Sequence, residues 1–250
     1  MFRNILKIPF STLKPSKKIL LFDLHGTLLQ PNQKILPPIS QSLFHLKYYK
    51  NYDLGIVSSA SMDKMKRLLF DSYFYFSFLF SENASQLYSP DSLSHIYQNF
   101  LYKHPDYEIF QRLSEDVQLF LKHKIPHFKP ENHIFMRDSM LYIHSFPFDA
   151  IKYQTQHHLE LCKNIYSPNL MNKSISVLAS GNSLSIQPIE WNKINAIDYL
   201  KNDHYNEIHY FGDQYKQHHV DYQIMNSPNI IPHRVKNPFD TLEILKSLYE

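Results

Sequence analysis

Glycine is scarce in this sequence of 250 residues, which contains only 4, at positions 26, 55, 181 and 212. Average proteins use glycine at about 7% of positions. Because glycine most easily adopts positive φ or lets a backbone approach another group closely, a chain with so few should retain them where the fold requires them. Gly26 lies shortly after Asp23, and Gly212 directly precedes Asp213. Both glycines therefore mark loops beside candidate functional carboxylates.

Cysteine is rarer still, and long apolar runs are missing. The single cysteine, Cys162, cannot form an internal disulfide, which favours a reducing compartment and predicts a cytoplasmic protein. The apolar run at Tyr73–Phe80 is far too short to cross a bilayer. With a net charge of only +3, the chain lacks the electrostatic footprint of a nucleic-acid-binding protein. We therefore expect neither nucleic acid nor membrane as a partner.

Acidic residues are absent from the first 18 positions, which carry several lysines and an arginine. Lys7 and Pro9 interrupt the apolar positions that a secretory signal would need. We interpret residues 1–18 as a basic N-terminal tail ahead of the fold, with a targeting segment as the alternative.

The first half of the fold has an α/β pattern. Ile19–Phe22 and Leu54–Val57 are short apolar runs of the kind that form buried parallel strands. A helix is predicted over Ser61–Phe70, with Ser61 as its N-cap, and an aromatic strand over Phe74–Phe80. Strand, helix and strand in this order form a βαβ unit.

The middle of the chain has a different character. Helices are predicted over Asp106–His123 and Tyr153–Cys162, where apolar residues recur at helical spacing. Two strand pairs are predicted around them, 133–136 with 140–143 and 174–178 with 183–187. We therefore predict an inserted α+β cap domain with an antiparallel sheet over 88–187, between core segments 19–87 and 188–250.

The α/β pattern returns at the end of the chain. A helix is predicted over Trp191–Leu200, a strand over Ile208–Phe211, and a final helix capped by Asn237. The predicted fold class is α/β, with a Rossmann-like parallel core sheet built from both ends of the chain.

Four polar residues can form a phosphoryl-transfer site. Asp23, Ser58 and Asp213 each follow a predicted strand, and Lys193 lies at a helix start. Carboxyl ends of parallel strands converge on one crevice, where two carboxylates can bind Mg²⁺. Ser58 can hydrogen-bond a phosphate, and Lys193 can neutralise its charge. Each residue alone has an ordinary structural explanation, as a turn, cap or surface residue; their combination in this chain order favours the catalytic interpretation.

Residues 21–28, Leu-Phe-Asp-Leu-His-Gly-Thr-Leu, resemble the haloacid dehalogenase-like signature of hydrophobic residues followed by Asp-x-Asp-Gly-Thr. Further segments in the same order resemble eukaryotic-type phosphomannomutases: Gln33-Lys34-Ile35, Gly55-Ile56-Val57, Ser81-Glu82-Asn83, Phe135-Met136-Arg137, Met140-Leu141, Pro188 with Trp191-Asn192-Lys193, and Phe211-Gly212-Asp213. The segments around Arg137 and Trp191 are those most typical of phosphomannomutases.

The resemblance implies a haloacid dehalogenase-like core with a mobile cap. Asp23 would be the nucleophile and would form an aspartyl phosphate, with His25 and Lys193 as further catalytic residues. Mg²⁺ would be held by Asp23, the backbone carbonyl of His25, Asp213 and Asp221. The implied reaction interconverts mannose 1-phosphate and mannose 6-phosphate, with a hexose 1,6-bisphosphate as primer, and serves GDP-mannose biosynthesis. The cap would also form a homodimer.

The same resemblance implies a sugar-phosphate site at Lys34, Ser58, Arg137, Ser183 and Ser185. Several positions depart from the family pattern. His25 replaces the second signature aspartate, and Ser185 replaces another aspartate. The family's arginines near positions 32 and 148 are missing, since Asn32 and Phe148 stand there.

These departures leave three functions open. The first is a phosphomannomutase-like phosphotransferase of reduced activity, in which His25 passes protons near neutral pH. The second is a sugar-phosphate phosphatase, and the third is an inactive sugar-phosphate-binding protein. A transition-metal site at His218-His219 is not expected, because the spacing fits no zinc pattern.

Overall fold

A computed structural model describes residues 17–30, 33–144, 146–166 and 175–248. Most of the predicted basic tail, Asn32 and Ser174 lie outside the described residues. Lys17 and Lys18, which were assigned to that tail, instead begin the first strand.

Eleven strands are present in the described part of the chain: β1 Lys17–Phe22, β2 Asp53–Val57, β3 Phe78–Ser81, β4 Gln86–Ser89, β5 Ser94–Gln98, β6 Ile134–Met136, β7 Leu141–His144, β8 Ile175–Ser180, β9 Ser183–Pro188, β10 Tyr205–Gly212 and β11 Ile231–Arg234. The α-helices described there are α1 Pro37–Tyr49, α2 Met62–Leu69, α3 Tyr107–Lys124, α4 Asp149–Tyr166, α5 Asn195–Asn202, α6 Tyr222–Met225 and α7 Pro238–Ser247.

The larger sheet has the order β11-β10-β1-β2-β3-β4-β5, parallel from β11 to β3 and antiparallel beyond. Its central strand β1 buries Ile19–Phe22 completely, because it is flanked by β10 and β2 and covered on both faces. Apolar residues of α1, α2 and α7 cover one face, and those of α5 and α6 cover the other. The predicted α/β core with a parallel sheet is confirmed.

The smaller sheet is antiparallel, with the order β6-β7-β9-β8. Apolar residues of α3 and α4 form a separate hydrophobic cluster with this sheet. The predicted antiparallel α+β cap is thus present as a second layered unit. Two of its strands form the predicted hairpin, which turns at Gly181 with φ +49°.

Two regions differ from the sequence expectations. Residues 70–75 form a 3-10 helix rather than the start of a strand. Tyr73 and Phe76 are buried three positions apart, a spacing that fits a helical turn and not strand alternation. In addition, β4 and β5 extend the larger sheet, so residues 88–98 pair with the core rather than with the cap sheet.

Only one of the two predicted N-cap residues makes a capping hydrogen bond. Asn237 caps α7, where its Oδ1 accepts hydrogen bonds from the backbone N–H of Phe239 at 2.8 Å and of Asp240 at 3.2 Å. Ser61 stands at the N-cap of α2, but its side chain makes no capping hydrogen bond. No helix among the described residues is both long and apolar enough to cross a membrane.

Candidate active site

Asp23 and Lys193 form a buried ion pair at the carboxyl end of β1. The backbone N–H of Asp23 donates to the carbonyl of Phe211 at 2.9 Å, which fixes the loop against β10. Lys193 Nζ donates to Asp23 Oδ1 at 2.6 Å and to Asp221 Oδ1 at 2.6 Å. Lys193 is 1% exposed, so its charge is stabilised by these carboxylates rather than by water. Two of the predicted site residues, Asp23 and Lys193, are thus in direct contact at this end of the sheet.

Asp221 is the anchor of this arrangement. Tyr210 Oη donates to its Oδ1 at 2.7 Å, and the backbone N–H of Gln214 donates to its Oδ2 at 3.1 Å. Both oxygens therefore accept hydrogen bonds, and one of them also holds Lys193. Asp221 was predicted as a metal ligand, but these contacts fit a residue that positions Lys193.

Asp23, Asp213 and Asp221 bring carboxylate oxygens within 4.8 Å of one another. Three carboxylates and one ammonium leave an excess of two negative charges in the cluster. Asp213 Oδ1 is buried and accepts no hydrogen bond within the described residues, although its Oδ2 accepts one from Gln214 at 2.5 Å. A buried carboxylate oxygen without a partner, in a doubly negative oxygen-rich cluster, fits Mg²⁺. The predicted ligand at position 25 is a backbone carbonyl, and this assignment stays a prediction.

Two of the four glycines permit the close approach of the aspartates. Gly26 has φ +80°, and a Cβ there would lie 2.5 Å from Asp213 Oδ2. A Cβ at Gly212 would lie 2.8 Å from Asp221 Oδ2. Both contacts are below van der Waals distance, so the carboxylates could not keep these positions beside any larger residue.

For both Asp23 and Lys193, burial and the charge of the other residue shift the pKa in opposite directions. Burial raises the pKa of Asp23, and the Lys193 ammonium opposes that rise. Burial alone would lower the pKa of Lys193, but the carboxylates of Asp221 and Asp23 raise it above its usual value. The N–O distances of 2.6 Å mean that the Lys193 ammonium favours the ionised form of Asp23. Burial and the carboxylates of Asp221 and Asp213 nevertheless raise the pKa of Asp23 to about 7.

His25 lies beside this pair and is half-buried. Burial, together with the nearby charges of Lys64 and Lys193, lowers its pKa to about 4. Its imidazole is therefore neutral at pH 7, with one nitrogen as donor and the other as acceptor.

A cavity of about 450 Å³ separates the core from the cap. Its wall includes His25 and Asp213 from the core, and Arg137 and Ser183 from the cap. Arg137 Nη1 donates to the backbone carbonyl of Ser59 at 3.0 Å, so the cap guanidinium reaches the core. Ser183 Oγ donates to the carbonyl of Ser180 at 2.6 Å.

The remaining predicted substrate residues do not line this cavity. Ser58 is buried, and its Oγ accepts from the N–H of Ala60 at 3.2 Å. Ser185 is buried, and its Oγ has no hydrogen-bond partner among the described residues. Lys34 is exposed, with Nζ 4.5 Å from the ring centroid of Phe70. Their contact with a substrate stays a prediction.

Other cavity residues were not singled out from the sequence. Lys64, in the first turn of α2, lines the wall, and a cation after a strand-end loop could have suggested it. Tyr142 also lines the cavity, and the Arg137 guanidinium carbon lies 3.6 Å from its ring centroid. Tyr210 lies in the continuously buried second half of β10, but nothing in the sequence indicates its bond to Asp221.

The cap contacts the core near both ends of this cavity. On one side, the N–H of Ser139 donates to Glu82 Oε2 at 2.8 Å, and Asn83 Nδ2 donates to Gln187 Oε1 at 2.7 Å. On the other side, the N–H of Ala179 donates to the carbonyl of His218 at 2.9 Å. Arg137, the one predicted cap arginine, is thereby held over the strand ends of the core.

The protein has a parallel core sheet with carboxylates at its strand ends, and an inserted antiparallel cap lies over them. This combination defines the haloacid dehalogenase-like class of phosphotransferases. A family model described as eukaryotic phosphomannomutase matches residues 41–250. The chain belongs to this family. It is 27% identical over 249 residues to a phosphomannomutase of Babesia bovis, covering 93% of this chain and 98% of the relative. It is 24% identical to a phosphomannomutase of Drosophila melanogaster, covering 96% and 98%.

Solved structures share the fold at lower identity. The C-terminal domain of Candida albicans trehalose-6-phosphate phosphatase superposes with a TM-score of 0.68 and 14% identity, covering 93% of this chain and 92% of that one. A haloacid dehalogenase-like hydrolase of Bacteroides thetaiotaomicron gives a TM-score of 0.60 and 15% identity, covering 94% and 100%. A truncated Plasmodium falciparum IMP-nucleotidase gives 0.68 and 18%, covering 94% and 71%.

Proposed function

We propose that the protein is a phosphomannomutase-like phosphotransferase that interconverts mannose 1-phosphate and mannose 6-phosphate through an aspartyl phosphate on Asp23. The observation that carries this proposal is the buried Lys193 ammonium, 2.6 Å from both Asp23 and Asp221. It holds the Asp23 carboxylate within 4.8 Å of a carboxylate oxygen of Asp213, which lines the cavity between core and cap together with Arg137. Mannose 1-phosphate is also the sugar phosphate that GDP-mannose biosynthesis consumes.

The arrangement of the core residues supports transfer of a phosphoryl group to Asp23 as the nucleophile. An oxygen of Asp23 forms a bond to phosphorus while the bond from phosphorus to the sugar oxygen breaks. Lys193 favours the ionised form of Asp23 and orients it, and Asp221 holds Lys193 in place. Asp23 and Asp213 would hold Mg²⁺, which would supply positive charge to the phosphoryl oxygens. A hexose 1,6-bisphosphate would supply the phosphoryl group that primes Asp23.

The reaction needs a proton removed from the attacking sugar hydroxyl and a proton supplied to the departing sugar oxygen. His25 suits the first of these transfers better than the second. A neutral imidazole can accept the proton of an attacking sugar hydroxyl, which the return of the phosphoryl group requires. With a pKa lowered to about 4, it holds no extra proton at pH 7 for a departing sugar oxygen. We therefore propose that transfer to Asp23 is slower than in relatives that carry the second signature aspartate.

A second candidate function is hydrolysis of a sugar phosphate. A neutral His25 beside Asp23 suits activation of water, which would then take the phosphoryl group from the enzyme. The trehalose-6-phosphate phosphatase that shares the fold is named for a sugar-phosphate substrate. A third candidate, an inactive sugar-phosphate-binding protein, would keep the cavity without turnover.

One assay separates the three candidates. The protein is incubated with Mg²⁺, mannose 1-phosphate and a hexose 1,6-bisphosphate, and the products are separated. Formation of mannose 6-phosphate supports the mutase, and release of inorganic phosphate supports the phosphatase. Absence of turnover, with a rise in melting temperature on adding sugar phosphate, supports the binding protein. Homodimerisation through the cap stays a prediction that sedimentation of the full chain tests.

A further inference from the structure

Tyr210 is a buried titratable residue to which the proposed reaction assigns no role. It lies in β10 and is completely buried, although its phenol carries a polar hydroxyl. Because a hydroxyl taken out of water without partners costs stability, its contacts indicate what it does. Tyr210 Oη donates to Asp221 Oδ1 at 2.7 Å, and it accepts from Lys193 Nζ at 3.3 Å. The phenol therefore joins both members of the ion pair that lies behind Asp23.

The Lys193 ammonium has three N–H donors, and three acceptors surround it among the described residues. Two are carboxylate oxygens of Asp23 and Asp221, each at 2.6 Å, and the third is Tyr210 Oη. Lys193, Tyr210 and Asp221 thus form a closed triangle of hydrogen bonds. The ammonium cannot turn away from Asp23 without breaking a buried hydrogen bond, so the triangle fixes the direction of its bond to Asp23.

The surroundings of Tyr210 provide the space and the charge that this arrangement needs. A Cβ at Gly212 would lie 2.8 Å from Tyr210 Cε1, so the glycine makes room for the phenol ring as well as for Asp221. Burial and the carboxylates of Asp221 and Asp23 raise the pKa of Tyr210 well above its usual value. The hydroxyl therefore keeps its proton and remains a donor. Phenylalanine would fill the same space, but it would leave Asp221 Oδ1 with one hydrogen bond fewer.

We propose that Tyr210 is a positioning residue for phosphoryl transfer, because its hydroxyl fixes Lys193 and, through Lys193, the carboxylate of Asp23. Tyr210 donates to Asp221 and not to Asp23, so it acts through its neighbours and is not a catalytic residue. This inference rests on the proposed phosphotransferase function, since it concerns the geometry of the same nucleophile. It predicts that the hydroxyl affects the rate of the chemical step more than the binding of substrate.

Tyr205 provides a matched control on the same strand. Its Oη donates to Asp53 Oδ2 at 2.5 Å, and it is also buried, so Tyr205→Phe likewise removes a bond between a phenol and a carboxylate. Tyr205 pairs with Lys17 at the start of β1, whereas Asp23 follows the end of that strand. A general loss of stability should therefore affect both variants, but a loss of positioning should affect only Tyr210→Phe.

The first measurement is steady-state turnover of mannose 1-phosphate with Mg²⁺ and a saturating hexose 1,6-bisphosphate, below the melting temperature of every variant. We expect Tyr210→Phe to lower kcat by about 10- to 100-fold and to change the KM by less than about threefold. Tyr205→Phe should stay within about twofold of the parent protein in both constants. An unchanged kcat in Tyr210→Phe, or an equal loss in the two variants, would overturn the inference.

The second measurement needs no turnover and therefore separates the two proposals. Urea denaturation of the full-length protein without metal compares Tyr210→Phe, Asp23→Asn and the double variant. If the hydroxyl holds Asp23 through Lys193, the unfolding equilibrium constant of the double variant should differ at least about fivefold from the product of the single effects. Tyr205→Phe combined with Asp23→Asn should be additive within about twofold.

The two proposals fail separately. Additive effects of Tyr210→Phe and Asp23→Asn would reject the positioning role of Tyr210, whatever the activity of the protein. Absence of all phosphoryl transfer by the unaltered protein would reject the proposed function, and the denaturation cycle would still decide whether Tyr210 holds Asp23.

Discussion

The catalytic end of the core and the cap face opposite it differ in how their charges are balanced. In the core, Lys193 contacts Asp23 and Asp221 directly, and every group is buried. In the cap, Arg137 donates to a backbone carbonyl of the core and lies over the ring of Tyr142, and it forms no salt bridge in the described part of the chain. The core site therefore combines an ammonium with three carboxylates, whereas the cap side presents an arginine to the cavity.

This difference has a physical consequence for how each region tolerates change. A buried network of charges is costly to alter one residue at a time, because each change leaves a charge without a partner. Cavity-wall residues such as Ser183 or Lys64 can change with little effect on the fold. We therefore expect substitutions in the cavity walls to alter ligand preference with less loss of stability than substitutions in the buried network.

Asp23→Asn should have the largest effect, because it removes the proposed nucleophile while preserving its shape. We expect phosphoryl transfer to fall by at least about 10⁴-fold, measured as kcat/KM with Mg²⁺ and either sugar phosphates or 4-nitrophenyl phosphate. An unchanged melting temperature would show that the fold is kept. Turnover equal to that of the parent protein would exclude an aspartyl phosphate at this position.

The His25→Asp variant tests whether residue 25 or the cap limits mutase activity. A carboxyl group able to exchange protons with the sugar oxygen contributes about 10²- to 10⁴-fold in general acid–base catalysis. We expect mannose 6-phosphate formation in the primed assay to rise at least about tenfold. His25→Asn, of matched size but unable to transfer the proton, is the control. Absence of a gain would mean that the cap, and not residue 25, limits the reaction.

Lys193→Met should destabilise the protein strongly, since it leaves Asp23 and Asp221 buried without a counter-charge. We expect a loss of about 3–5 kcal/mol in the free energy of unfolding, measured by urea denaturation without metal. Lys246→Met is the control: Lys246 pairs with Glu243 at 2.9 Å on an exposed helix surface, and its loss should cost less than about 0.5 kcal/mol. Equal effects in the two variants would contradict the buried ion-pair network.

The smallest expected effect is on the pH dependence of protein stability. His25 has a native pKa of about 4, below the value of about 6.5 in an unfolded chain. Between these values the unfolded chain binds a proton that the native state does not, so the His25 contribution makes stability fall as pH decreases from about 6.5 to about 4. Urea denaturation across this range without metal should show a steeper decline for the parent protein than for His25→Asn. Parallel curves would contradict the depressed pKa.

Much of the fold could be predicted from the sequence because its determinants are local. The buried run at Ile19–Phe22 and the helical spacing in α3 identify elements whose burial is continuous or periodic. The pairing of β4 and β5 with the core could not be predicted, because such short strands carry no local signal of the sheet that they join. Tyr73 and Phe76 likewise enter the core through a 3-10 turn that strand-like composition conceals.

The candidate site was predictable only in part. Asp23, Asp213 and Lys193 could be found because strand ends and motif order identify them. The contacts of Asp221 with Tyr210 and Lys193 depend on the crossing of three separate elements, which no local pattern specifies. The same holds for Lys64, whose nearness to Arg137 exists only when the cap lies over the core.

The position of β10 beside β1 has a consequence for synthesis on the ribosome. Phe22 pairs in register with Phe211, so the central strand lacks one neighbour until nearly the whole polypeptide has been translated. The cap hairpins pair strands that are close in sequence, and contacts of this kind form early. We therefore expect the cap to fold while β1 still presents an open, apolar edge, the kind of surface that chaperones shield and that aggregates when left uncovered.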